Sequence, residues 1–130
     1  MVTEDELRGW ALEPPGTHEE ETWGAATFRV GAKIFVIARF ADGVASVKAD
    51  RTDQAELIAG DPVTYRVASH VGRFGWVEVS LASADPVELR SVVLEGWRRT
   101  APAGLRSALP DHLRALLPAP PSPPPVVGDP

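Results

Sequence analysis

Six segments of the chain are predicted to be β-strands, and in five of them apolar and polar residues alternate with the two-residue period that is typical of half-buried strands. Two neighbouring segments are separated only by Gly31-Ala32, and two later ones only by residues 69–75, so each pair is expected to form an antiparallel hairpin. The first segment is strongly polar, which is typical of an edge strand. The six segments are residues 17–23, 26–30, 33–40, 44–49, 63–68 and 76–81.

Helix signals precede, interrupt and follow these strands. Thr3 and Glu6 form a capping box, and the apolar stripe after them predicts a short first helix. Asp50 or Thr52 is expected to cap a short second helix. The strongest helix signal is the third, which opens at Asp85 and is followed by proline at the first helical position. One or two short helices are expected near the end of the chain.

The resulting order of elements is α-β-β-β-β-α-β-β-α. Strands that are joined by tight turns must run antiparallel. We therefore predict a two-layer α+β domain over residues 1–117, in which an antiparallel sheet of five to six strands carries helices on one face and leaves the other open. Seven of the 13 prolines fall in residues 118–130, which predicts a disordered tail. Its PxxP spacing leaves open a role as a ligand for a proline-binding domain.

The composition excludes several classes of protein. A chain of 130 residues has room for one domain with a modest core. The absence of cysteine excludes disulfides, thiolate metal sites and a cysteine nucleophile. No apolar run approaches the roughly 20 residues of a membrane span, and no signal peptide is recognisable, so a cytoplasmic protein without membrane contact is expected. The net charge of −5 counts against avid, non-specific binding to nucleic acid.

Catalytic and metal-binding patterns are weak throughout the sequence. Neither HExxH, GxSxG nor a glycine-rich phosphate loop occurs, so no catalytic residue and no cofactor is expected. His18 and the glutamates at 19–21 contain ligand types for a hard cation, but alternate residues of a strand face opposite sides. A solvated acidic edge, with no metal, is therefore the favoured interpretation. Glu78 is a candidate for acid–base chemistry by its position alone, and an exposed strand residue between Val77 and Val79 is the favoured interpretation.

The basic residues follow a regular pattern along the predicted strands, although the net charge of the chain is negative. Arg29, Arg39, Lys48 and Arg66 each alternate with apolar residues, among them Ile34, that are expected to face the helices. Cations that interleave with aromatic rings suit a nucleic-acid surface, whereas simple solvation of the open face is the alternative. The candidate nucleic-acid-binding residues are Arg29, Arg39, Lys48, Arg66, His70, Arg73 and Trp76.

The four tryptophans divide into two pairs. Trp10 and Trp97 lie on apolar helix stripes and are expected in the core. Trp23 and Trp76 lie beside predicted loops. Either one of them is exposed for binding, or both pack at the rim of the sheet.

The segment LEPPGTHEEETWGAATFRVGAKIFVIA resembles the opening of the MmcQ/YjbR family, in which a P-G-x-x-E segment leads to an F-x-V-x-G-K-x-F hairpin. Further matches are VKAD, Tyr65, Gly75-Trp76 and WRRTAPAGL, in order and at compatible spacing over about residues 3–109. Phe28, Val30, Lys33 and Phe35 fit the hairpin pattern position by position, and Gly31 lies one residue before the glycine of the pattern.

This resemblance implies an antiparallel sheet packed by helices, of the secretion-chaperone-like type, and a non-enzymatic DNA-binding protein with a double-wing arrangement. The wings would be the hairpin at Gly31-Ala32 and the loop 69–75. The alternative implied by the architecture is a protein- or peptide-binding module or a homodimer, which would use the sheet through Phe35, Ile37 and Trp76. The chain departs from the family in its acidity, its two lysines, Ala103-Gly104 and its proline-rich tail.

Overall fold

Six strands form one antiparallel sheet in the order β1-β2-β3-β4-β6-β5, which confirms the predicted fold class and element order. The computed structural model describes residues 1–117, and the predicted proline-rich tail lies outside them. None of the helices in this range is long and apolar enough to cross a membrane. The elements are α1 (Glu4–Leu12), β1 (Thr17–Thr22), β2 (Ala25–Val30), β3 (Lys33–Arg39), β4 (Val44–Val47), α2 (Arg51–Gly60), β5 (Tyr65–Val67), β6 (Val77–Ser80), α3 (Pro86–Thr100), α4 (Ala103–Ser107) and α5 (Asp111–Arg114).

The core lies between the sheet and the helix layer. The long helix α3 packs on β3 and β4, and α1 packs on α3. Trp97 is the largest fully buried side chain, and its indole Nε1 donates to the carbonyl oxygen of Pro15 at 3.1 Å. The other large side chains of this core are Leu7, Phe28, Phe35, Val36, Val47, Tyr65, Val77, Val79, Leu89, Val93 and Leu113.

A bulge in β3 reverses part of the predicted alternation. Phe28 pairs with Val36 while Arg29 pairs with Ile34, so Phe35 is an extra residue on its strand. Phe35 is therefore buried in the core, and Ile34 lies half-buried opposite Arg29. The expectation that Ile34 faces the helices and that Phe35 offers a binding surface was wrong, because one extra residue exchanges the two faces of a strand.

The predicted capping box at α1 is present. The Thr3 hydroxyl accepts from the Glu6 amide at 3.1 Å, and the Glu6 carboxylate accepts from the Thr3 amide at 3.0 Å. Thr3→Ala is expected to lower the free energy of unfolding by about 1 kcal/mol, because it leaves a helix N–H without a partner. Urea unfolding measures the change.

Thr52→Ala is the matched control for this substitution. Asp50 and not Thr52 caps α2, since the Asp50 carboxylate accepts from the Asp53 amide at 2.7 Å. No loss of stability is expected for Thr52→Ala. Equal losses in the two variants would contradict the role of the Thr3 cap.

Candidate nucleic-acid interface

A concavity of about 590 Å³ lies on the open face of the sheet. It brings together three of the residues that the sequence singled out, namely Arg39, Arg66 and His70. β3, β4, β6 and β5 supply its floor, and the loop between β5 and β6 (residues 68–76) supplies one wall. Its remaining lining residues are Ile37, Asp42, Val44, Ser46, Ser69, Val71 and Glu78.

The charges of this concavity balance. Arg39 and Arg66 share it with Asp42 and Glu78. Arg66 forms an ion pair with Glu78 across the β5–β6 pairing, in which the two residues are register partners. The side chain of Glu78 is only 12% exposed whereas that of Arg66 is 72% exposed, so the expected exposed Glu78 is in fact largely covered. A phosphate would meet little net positive charge here.

Arg29 lies on the open face, as predicted, but it is already engaged. Its guanidinium forms an ion pair with Glu20 at 3.0 Å and donates to the Thr22 hydroxyl at 3.0 Å. A hydrogen bond from His18, together with the charge of Arg29, holds the pKa of Glu20 below its usual value. Binding a phosphate at Arg29 would therefore compete with these contacts.

Lys48 lies on the helix side of the molecule, which corrects its predicted place on the open face. β4 ends at Val47, so the two-residue alternation does not continue to Lys48. Lys48 lines a cleft of about 930 Å³ between α2 and α3. If Gly96 of α3 carried a Cβ atom, that atom would lie 3.0 Å from the carbonyl oxygen of Lys48, so the backbone of Lys48 lies close against α3. Lys48 therefore does not share a surface with Arg39 and Arg66.

The β5–β6 loop presents a cation on an exposed aromatic ring. The Arg73 guanidinium carbon lies 4.8 Å from the centroid of the Phe74 ring, and Phe74 is 62% exposed. Arg51, at the start of α2, donates from Nε and Nη2 to the Arg73 carbonyl oxygen at 3.1 and 2.8 Å. Sequence reasoning missed Arg51, because nothing in the first turn of a short helix signals contact with a loop 22 residues away.

The position of this loop is fixed by contacts with α2. The Gln54 amide donates to the carbonyl oxygens of Gly72 at 2.9 Å and of Trp76 at 2.6 Å. Gly75 has φ of +96°, and a Cβ atom there would lie 2.6 Å from the carbonyl carbon of Asp50. The loop thus rests directly on the backbone of the α2 N-terminus, and only glycine permits this approach.

Of the two tryptophans beside loops, one is exposed and the other is buried. Trp76 is only 9% exposed and belongs to the buried residues, so its expected contact at a wing surface is not available. Trp23 is 98% exposed at the turn between β1 and β2. Trp97 is buried as predicted, and Trp10 packs against the core while partly exposed.

The two edges of the sheet differ in charge. The glutamates at 19–21 lie on the edge strand β1, where Arg8 and Arg29 neutralise two of the three. Arg51 and Arg73 lie at the opposite side, next to the edge strand β5. Among residues 1–117, neither of these two arginines forms an ion pair. The β5 side therefore presents two arginines that no carboxylate of the described residues pairs with.

Comparison with known proteins agrees with this fold. A family model described as YjbR matches residues 12–99. A crystal structure of the Deinococcus radiodurans protein DR2400, described as a DUF419 domain, is similar with a TM-score of 0.72 and 23% identity, and the match covers 91% of each chain. A comparison with curated proteins finds no match.

Proposed function

The chain belongs to the YjbR family, and from this premise we propose that it binds the backbone of duplex DNA through its β5–β6 loop and the start of α2, without a catalytic step. Arg73 and Arg51 contact phosphates, and the Phe74 ring packs against the Arg73 guanidinium. Phosphate contacts carry no base information, so this binding is independent of DNA sequence.

One observation carries the proposal. The Arg51 guanidinium lies against the backbone of Arg73, and neither arginine is held in an ion pair among the described residues, although Arg29 and Arg66 are. An arginine without a carboxylate partner can bind a phosphate without the loss of an existing ion pair. The contacts with Gln54 and Gly75 keep the loop in place before DNA arrives, which lowers the ordering cost of binding.

The other predicted cations have smaller parts in this proposal. Arg29 and Arg66 are left out because phosphate binding would cost their pairs with Glu20 and Glu78. Lys48 is left out because it lies in the cleft on the helix side. His70 and Arg39 line the concavity beside the loop and make at most peripheral contacts.

The salt dependence of binding tests this proposal. Each phosphate contact adds about −0.9 to the slope of log affinity against log salt concentration, so two contacts predict a slope of about −2. Fluorescence anisotropy of a labelled random duplex, titrated with protein at low and near-physiological salt, measures the slope. Arg73→Ala is expected to weaken binding uniformly across duplexes and to flatten the slope by about 1.

Arg98→Ala provides a control with the same change in charge. Arg98 lies on α3 in the helix layer, where it pairs with Glu95 at 2.7 Å. It is expected to leave both the affinity and the slope unchanged. The proposal fails if no binding occurs even at low salt, or if Arg98→Ala weakens binding as much as Arg73→Ala does.

A further inference from the structure

Trp23 is an apolar side chain without a partner in the described fold. It is 98% exposed, at the tip of the β1–β2 hairpin. Trp23 and Gly24 have φ of +52° and +80°, which are the left-handed values that a two-residue hairpin turn requires. Asparagine or glycine meets that requirement more easily than a bulky residue, so the turn by itself does not account for a tryptophan.

The concavity on the open face has the properties of a receptor for such a side chain. Ile37 and Val44 contribute apolar side chains to its floor, and Val71 contributes one to its loop wall. Arg39 and Arg66 lie at the same site, and guanidinium groups pack well on the face of an indole ring. Pockets of about 300–1,000 Å³ hold ligands of drug size, so a concavity of about 590 Å³ accepts one indole.

We propose that two copies of this chain associate through their open sheet faces, with Trp23 of each copy in the concavity of the other. The two-fold axis lies between the faces and runs parallel to the strands. Rotation about this axis places the β1 side of one copy over the β5 side of its partner. Each residue keeps its position along the direction of the strands. Such an exchange is isologous, as a closed dimer requires.

The pairing register of the strands shows where the Trp23 turn and the concavity lie along the sheet. Ala26 pairs with Ala38, so the Trp23 turn lies at the end of the sheet where β3 finishes at Arg39. Arg39 pairs with Val44, and both residues line the concavity. The rotation therefore brings each Trp23 to the Arg39 side of the partner's concavity, which extends from there along the strands to the loop wall formed by Ser69, His70 and Val71.

Charge also favours a second copy in this arrangement. Glu20 on β1 and Arg66 on β5 lie on one row of paired residues that crosses the open face. The rotation places Glu20 of each copy opposite Arg66 of the other. Within each copy, Glu20 already pairs with Arg29 and Arg66 with Glu78. In the dimer, the Glu20–Arg29 pair of one copy would face the Arg66–Glu78 pair of the other, so that neighbouring charges across the interface have opposite signs. Pairing of two β1 edges would instead bring glutamates together, which disfavours that contact.

Sedimentation velocity of the full chain without DNA tests the proposal, so its result is independent of any DNA binding. The dimer fraction is expected to rise between about 1 and about 200 µM, because association follows mass action. Trp23→Ala is expected to weaken dimerisation about 30-fold or more, as tryptophan anchors of interfaces typically do. Ser46→Trp, which fills the concavity, is expected to have a similar effect.

Val87→Ala is the matched control, because Val87 is 78% exposed on α3, away from the open face. It is expected to leave the dimerisation constant unchanged. A monomer at all concentrations overturns the proposal, and so does a Trp23→Ala variant that dimerises like the unmodified chain. An equal loss in Val87→Ala would place the interface on the helix layer and overturn the proposal as well.

The charge register has its own test in the same assay. Glu20→Arg and Arg66→Glu are each expected to weaken dimerisation by about tenfold, and the double variant is expected to recover most of the loss. Losses that simply add in the double variant would overturn the proposed register.

Discussion

Replacing Trp97 by alanine is expected to lower the free energy of unfolding by about 3–5 kcal/mol, the range for loss of a buried aromatic side chain. Trp97 is fully buried in α3, and its indole N–H donates to Pro15 in the segment between α1 and β1. The substitution leaves a cavity beneath the helix layer and removes the hydrogen bond that ties this segment to α3. Urea unfolding followed by far-UV circular dichroism measures the loss.

Trp97→Phe separates the contribution of the buried side-chain volume from that of the hydrogen bond to Pro15. Phenylalanine keeps most of the buried volume but cannot donate to the carbonyl oxygen of Pro15. Its expected loss is about 1–3 kcal/mol, since a buried acceptor is left without a partner. If Trp97→Ala cost no more than Trp97→Phe, the packing of this side chain would not be a main support of the core.

Gly75→Ala is expected to cost about 2–4 kcal/mol of the free energy of unfolding, from left-handed strain and steric overlap together. Gly75 has φ of +96°, and an added Cβ would lie 2.6 and 2.7 Å from the carbonyl carbon and Cα of Asp50 and 2.8 Å from the amide nitrogen of Arg51. All three are backbone atoms, so no side-chain rotation relieves the overlap. Urea unfolding again provides the measurement.

Gly31→Ala isolates the contribution of the backbone conformation. Gly31 has φ of +59°, but nothing lies within 4 Å of the Cβ position. Its expected loss is about 1–2 kcal/mol, from left-handed strain alone. Equal losses at Gly31 and Gly75 would show that the close approach of the β5–β6 loop to α2 does not contribute to stability.

The candidate site was predictable only in part, for reasons that differ from residue to residue. Regular alternation placed Arg66 on the open face correctly, since its strand has no bulge. It failed at Lys48, which follows the last residue of β4, and at Phe35, where one extra residue shifts the register. Pairing partners such as Glu78 for Arg66 depend on which strands are neighbours, and no local pattern specifies that choice.

Local chemistry, by itself, determined the helices, the strands and their class of arrangement. Capping at Thr3 and Asp85, glycine at the turns and two-residue alternation act within a few residues of the chain, so the sequence alone predicts them. The strand order β4-β6-β5, the burial of Trp76 and the contact of Arg51 with Arg73 were decided by tertiary structure. Each of these three features depends on contacts between residues that are distant along the chain. Only the packing of the whole core sets which of those residues meet.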